Sequence, residues 1–212
     1  MGKTLNLGHR IELLPMDKHC EDISLGLYQQ PDKDGPRFLV HTYSRAEAVH
    51  RRVAFIRAAL KVMTGLQEAD RAGGWMRFPC RALHLRAIKR AFLDLCKLET
   101  DAPLTPKPLV AFDKKAGCNL KIVSLGDGRY ETSAEHDSDA ASKRATALAR
   151  GYAKLCELAL DQSNPNRVAF DCQKRHDELI GMLMFRAQNV RASMREQEMA
   201  ASRGVLSSPS EQ

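Results

Sequence analysis

Phe78-Pro79-Cys80-Arg81-Ala82-Leu83-His84 and Phe170-Asp171-Cys172-Gln173-Lys174-Arg175-His176 share one pattern, F-x-C-x-x-x-H. Phe, Cys and His number only 7, 6 and 7 in 212 residues, so two such matches point to a repeat. The surroundings agree. Ser44 precedes Cys80 by 36 positions and Ser138 precedes Cys172 by 34. Cys20 stands before Ile23-Ser24-Leu25 much as Cys118 stands before Leu120-Lys121-Ile122. The chain therefore reads as an internal duplication with an offset of roughly 92 to 98 residues.

Each half carries the same series of elements. Asp22–Gln30 alternates apolar and polar residues, PDKDGP at 31–36 has turn chemistry, and Arg37–Tyr43 returns, which together predict a hairpin. Ser44 with Glu47 forms a capping box for a first helix with the stripe Val49, Val53, Ile56, Leu60 and Met63, stopped at Gly65. Pro79 suits the first turn of a second helix with the stripe Leu83, Ala87, Ile88, Ala91, Leu95 and Leu98. Downstream, Leu109–Asp113 and Asn119–Leu125 read as strands, and Gly126-Asp127-Gly128 turns the latter into Arg129–Ser133. Ser138 is a candidate N-cap for a third helix with Leu148, Tyr152, Leu155 and Ala159 on one face. A fourth spans about Asp171–Ser202, its stripe running through Leu179 and Leu183.

Neither half buries enough surface to stand alone comfortably. The expected fold is α+β: one domain over 1–204, a β-hairpin plus two helices duplicated about a pseudo-two-fold. Repeat 1 covers about 20–98, a Pro-rich linker 99–108, and repeat 2 about 109–203, with a tail at 205–212. The hairpins are expected to join in one antiparallel sheet of four to six strands with helices packed on it.

In the helical reading, Cys80 and His84 lie one turn apart, as do Cys172 and His176. These four begin the core-facing stripes, so the preferred reading is buried packing with no cofactor. The alternative is chemical. Thiolate and imidazole are both zinc ligands, and two copies would supply the four that a structural zinc takes. A thiolate–imidazole catalytic pair is a third reading, opposed by the apolar stripe, since such a thiol must be exposed.

The chain carries 33 Lys and Arg against 26 Asp and Glu. The excess concentrates in 44–65 and 77–98, while Glu131, Glu135, Asp137 and Asp139 make a local acidic patch. The basic segments nominate Arg51, Arg52, Arg86, Lys89 and Arg90 for contact with nucleic acid or an acidic protein, their charges being expected on the outer face. Aromatic residues are 6% of the chain, with no stacking row. Glu135-His136-Asp137 reads as acidity suited to a helix N-terminus. No P-loop, GxGxxG, HExxH or GxSxG occurs. The start has no signal-peptide core and no stretch is apolar enough to span a membrane. The cysteines then read as free thiols of a cytoplasmic protein. A binding or interaction module is favoured over an enzyme; the other class is a small enzyme or ligand-binding protein with its pocket between the repeats.

Overall fold

Alternating apolar residues and a turn at 31–36 let β1 (Leu25–Gln30) fold back on β2 (Arg37–Thr42), with Leu25 opposite Thr42 and Gln30 opposite Arg37. The computed structural model describes residues 25–70, 73–98 and 108–186. After the hairpin come α1 (Glu47–Thr64), β3 (Gln67–Glu68), β4 (Met76–Arg77) and α2 (Leu85–Cys96). The second half supplies β5 (Val110–Asp113), β6 (Cys118–Gly126), β7 (Arg129–Ala134), α3 (Asp139–Cys156), β8 (Ala159–Leu160) and β9 (Arg167–Ala169). A further helix, α4, begins at residue 177 and is described through 186. Readings on Cys20, residues 4–14, most of the 99–108 linker, helical positions beyond 186 and the 205–212 tail lie outside the described residues. Among the described residues no helix is long and apolar enough to cross a membrane.

The fold is α+β, with two antiparallel sheets in place of the expected single one. Their strand orders are β1-β2-β4-β3 and β5-β6-β7-β9-β8. The reason is local pairing. β4 takes the inner edge of β2, and β5 and β9 flank the β6–β7 hairpin on both sides, so that hairpin has no edge left for the first. The short strands escape a periodicity reading because two-residue segments have no alternation to detect. Ala159, assigned above to a helix face, instead opens β8; α3 ends at Cys156 and Glu157 takes the left-handed C-cap.

Helix starts separate the correct caps from the incorrect ones. Ser138 caps α3, its oxygen accepting from the Ala141 amide at 3.2 Å. Ser44 does not cap α1. Its Oγ accepts from Ala46, two residues on, and the helix starts at Glu47 with no side-chain cap. A serine satisfied by its own turn is not available to a helix terminus. Residues 78–84 and 170–176 are not helical either; α2 and α4 begin just after His84 and His176. Both loops lie under hairpin glycines. A Cβ on Gly35 (φ +109) would come within 3.1 Å of the Cys80 carbonyl and Arg81 Cα, and one on Gly128 (φ +67) within 2.9 Å of Gln173 Cα.

Three pairs of elements share one offset. β2 and β7 start at 37 and 129, α1 and α3 at 47 and 139, and β3 and β8 at 67 and 159, each 92 positions apart. Both long helices have 18 residues and end on left-handed residues, Gly65 and Glu157. Their sixth residues, Arg52 and Arg144, are both buried. One apolar cluster joins the halves, including Phe38, Ile56 and Phe92 from the first and Leu120, Leu148 and Leu183 from the second. Tyr28, Leu39 and Trp75 form a separate cluster, which leaves β1 buried on both faces where a half-buried strand is expected.

Candidate metal centre

Each half delivers its Cys and His in the same way. A short strand ends, β4 or β9, and the next residue is a Phe that inserts into the core; Phe78 and Phe170 are each 2% exposed. Burial of the ring turns the chain inward. The Cys follows two positions later, and the His four after that, immediately before the helix. His84 holds a left-handed backbone (φ 40) and so does Gln173 (φ 54), next to Cys172. Such conformations cost a non-glycine residue roughly 1–3 kcal/mol and persist where surrounding structure imposes them.

The two loops meet. Cys80 Sγ lies 3.2 Å from His84 Nε2 and 3.6 Å from His176 Nε2, and Cys172 Sγ lies 3.0 Å from His176 Nε2. One ligand atom from each of the four residues falls within 4.8 Å of all the others. The imidazoles cross edge to face with centroids 4.5 Å apart. Phe78 packs edge-on to His84 at 4.8 Å, and Phe170 to His176 at 4.8 Å, so the aromatic rings wall both imidazoles. Tetrahedral zinc with sulfur at about 2.3 Å and nitrogen at about 2.0–2.1 Å has sulfur–nitrogen edges of about 3.6 Å. Of the observed separations, 3.6 Å equals that edge, while 3.2 and 3.0 Å fall short of it, as for thiols hydrogen-bonded to imidazole, so the pairs must open slightly to admit the ion.

Burial favours the neutral forms of Cys80, His84 and His176. Burial, partly offset by the Ala82 amide, pushes the Cys80 thiol up to about 11, with Cys172 and Asp171 adding to the rise. Burial, helped by the neighbouring His84, brings His176 down to about 4, against the pull of Asp171 and Asp177. Burial also lowers His84. The imidazoles are therefore neutral near pH 7, each with its Nε2 facing a cysteine sulfur. A thiol here is a poor acid by itself and becomes thiolate when a cation takes the proton's place.

The second loop is anchored by a residue that sequence reasoning did not single out. Tyr130, on β7 and fully buried, accepts a hydrogen bond from the His176 amide at 2.6 Å and donates one to Asp177 Oδ1 at 2.9 Å. Its phenol is also raised by burial. Nothing in the local sequence marks this role, since Tyr130 occupies an ordinary inward strand position. Tyr130→Phe should leave a buried amide without a partner and destabilise the fold by about 1–3 kcal/mol. Chemical denaturation of the two proteins checks this; a difference below the lower bound would mean that the amide finds another acceptor.

The basic residues are not brought together in this way. Arg52 is 2% exposed, against the expectation of an outward charge, and donates to the carbonyls of Leu95 and Leu98 at the end of α2. The orphan carbonyls of a helix terminus draw a buried guanidinium inward. Arg86 pairs with Glu157 at 2.6 Å, while Arg51 is exposed and 4.0 Å from Glu47. Lys89 and Arg90 are half-buried. Arg86 and Lys89 line a cleft of about 440 Å³ that reaches His84 and Asp171 but not His176. Of the acidic patch, Glu135 accepts from Asn119 at 2.7 Å and Asp139 sits in the first turn of α3, while Glu135-His136-Asp137, read as suited to the helix N-terminus, lies just before the Ser138 cap.

Comparison with known family models, curated proteins and solved structures gives no match.

Proposed function

We propose that the chain is a zinc-binding protein whose Cys2His2 centre, Cys80, His84, Cys172 and His176, fastens its two halves together. The observation that carries this is the convergence of four ligand atoms from two loops 92 residues apart within 4.8 Å. A donor set of two sulfurs and two imidazoles favours zinc over magnesium or calcium, which take oxygen ligands. Four protein ligands leave no open coordination position, which favours a structural role over a catalytic one. The residues of each pair Cys80/Cys172, His84/His176 and Asp94/Arg186 are 92 positions apart and touch across the join. Contact between corresponding residues is what a pseudo-two-fold axis through the metal would produce, and it supports the duplication reading.

The test is elemental analysis of chain purified under reducing conditions. One zinc per chain is expected, lost on prolonged chelation together with much of the cooperative unfolding transition, because metal binding is coupled to folding. A metal-free chain that takes up no zinc and melts identically with and without chelator would refute the centre.

A second reading assigns the module an anionic partner, nucleic acid or an acidic protein. It is supported by Arg45, His50 and Arg51 exposed at the start of α1 beside Tyr43, which is 61% exposed. Changing Arg45 and Arg51 to Ala should weaken binding of a short duplex DNA and flatten its salt dependence by about 2 in log–log slope, while leaving melting unchanged. Absence of binding at low salt removes nucleic acid from this reading.

A further inference from the structure

The zinc reading leaves one property of the centre unaddressed: both sulfur ligands come from different halves, yet sit side by side. We propose that the centre is a peroxide-sensitive clasp, in which oxidation joins Cys80 to Cys172 as a disulfide and releases zinc. This rests on the zinc reading and concerns the regulation of that same site.

Three observations support it. The two sulfurs lie within 4.8 Å of each other and are carried by irregular loops rather than by helix, so side-chain rotation and small loop shifts can close the gap to bonding distance. Zinc holds its cysteines as thiolates, the nucleophilic form. Access is asymmetric: Cys80 is 9% exposed and Cys172 is half-buried, so Cys172 meets the oxidant first. The remaining described cysteines are poor competitors. Cys96 and Cys118 are buried; Cys156 lines the cleft beside the centre, but it stands outside the ligand set, so no cation holds it as thiolate, and burial pushes its thiol up to about 12.

The chemistry balances with hydrogen peroxide as oxidant. The Cys172 thiolate attacks one peroxide oxygen; the O–O bond breaks, a sulfenic acid forms, and the departing hydroxide takes a proton to become water. The Cys80 thiolate then attacks the Cys172 sulfur; the S–S bond forms, the S–O bond breaks, and a second hydroxide leaves as water. Two electrons pass from the sulfurs to the peroxide. Zinc changes no oxidation state, keeps only two imidazole ligands and dissociates.

The experiment uses the full-length chain, reduced and loaded with zinc, titrated with hydrogen peroxide in the presence of a chromogenic zinc indicator. One zinc should appear for every two thiols lost, and peptide mapping should find Cys80 joined to Cys172. Dithiothreitol followed by zinc should restore the original content, and Cys156→Ser should behave as the parent does. Zinc retained while other thiols oxidise would overturn the proposal. So would release accompanied by sulfinic acid, or by a disulfide to any other cysteine. A reduced chain that never takes up zinc refutes the metal centre itself, and this proposal with it.

Discussion

Cys172→Ser should abolish stoichiometric zinc and make the variant's melting insensitive to chelator. The parent, treated with chelator, should fall to the same level. Metal binding in zinc-dependent folds contributes apparent free energies of about 10–16 kcal/mol at neutral pH. A buried hydroxyl in a site that only packs costs about 1–3 kcal/mol. For a chain of this size each kcal/mol shifts the melting temperature by roughly 2–4 °C, so packing alone predicts a fall of roughly 2–12 °C with no response to metal. The zinc centre predicts a larger fall, or loss of the cooperative transition. Calorimetry with and without chelator on both proteins distinguishes them. A parent unmoved by chelator, with a variant lower by only a few degrees, would return the four residues to the role of core filling.

The second large effect is expected at the turn between β5 and β6. Asp113 Oδ2 accepts from Arg144 Nε at 2.7 Å, and the two side chains are 3% and 7% exposed. Its other oxygen accepts from the amides of Lys115 and Ala116. Burial by itself raises the Asp113 carboxyl, but these hydrogen bonds and the Arg144 charge outweigh it and hold the group below the usual carboxylate value. Asp113→Asn leaves a buried guanidinium unpaired and should cost about 3–5 kcal/mol at pH 7. Because the folded-state value is depressed, this stabilisation is complete above the unfolded carboxylate pKa of about 3.9 and is lost as pH falls through the folded value. Denaturation of parent and variant from pH 7 to pH 3 should show a constant difference down to about pH 5 that narrows in acid. A difference that stays flat to pH 3 would show that the charge of Asp113 is not what holds Arg144.

Arg144 and Arg52 illustrate how far sequence reading reaches. Both hold the sixth position of an 18-residue helix, both are buried, and their partners are unrelated: a turn carboxylate in one case, the carbonyls at the end of α2 in the other. A charge count over 44–65 places Arg52 on a solvated face. Only the packing of α1 against α2 turns it inward, to groups that lie 43 and 46 residues away.

The α+β class, the hairpins, the stops at Gly65 and Gly126–Gly128, the Ser138 cap and the repeated F-x-C-x-x-x-H all follow from residues close in sequence. Period, turn chemistry and capping act over a few positions and leave a local record. The split into two sheets, the non-helical loops at 78–84 and 170–176, the anchoring of His176 by Tyr130 and the meeting of Cys80, His84, Cys172 and His176 do not. Each depends on pairing or burial between segments far apart in the chain. A Cys and a His four residues apart look alike whether they end in a core or around an ion. What distinguishes them is the second pair, brought to within 4.8 Å by the way the halves pack.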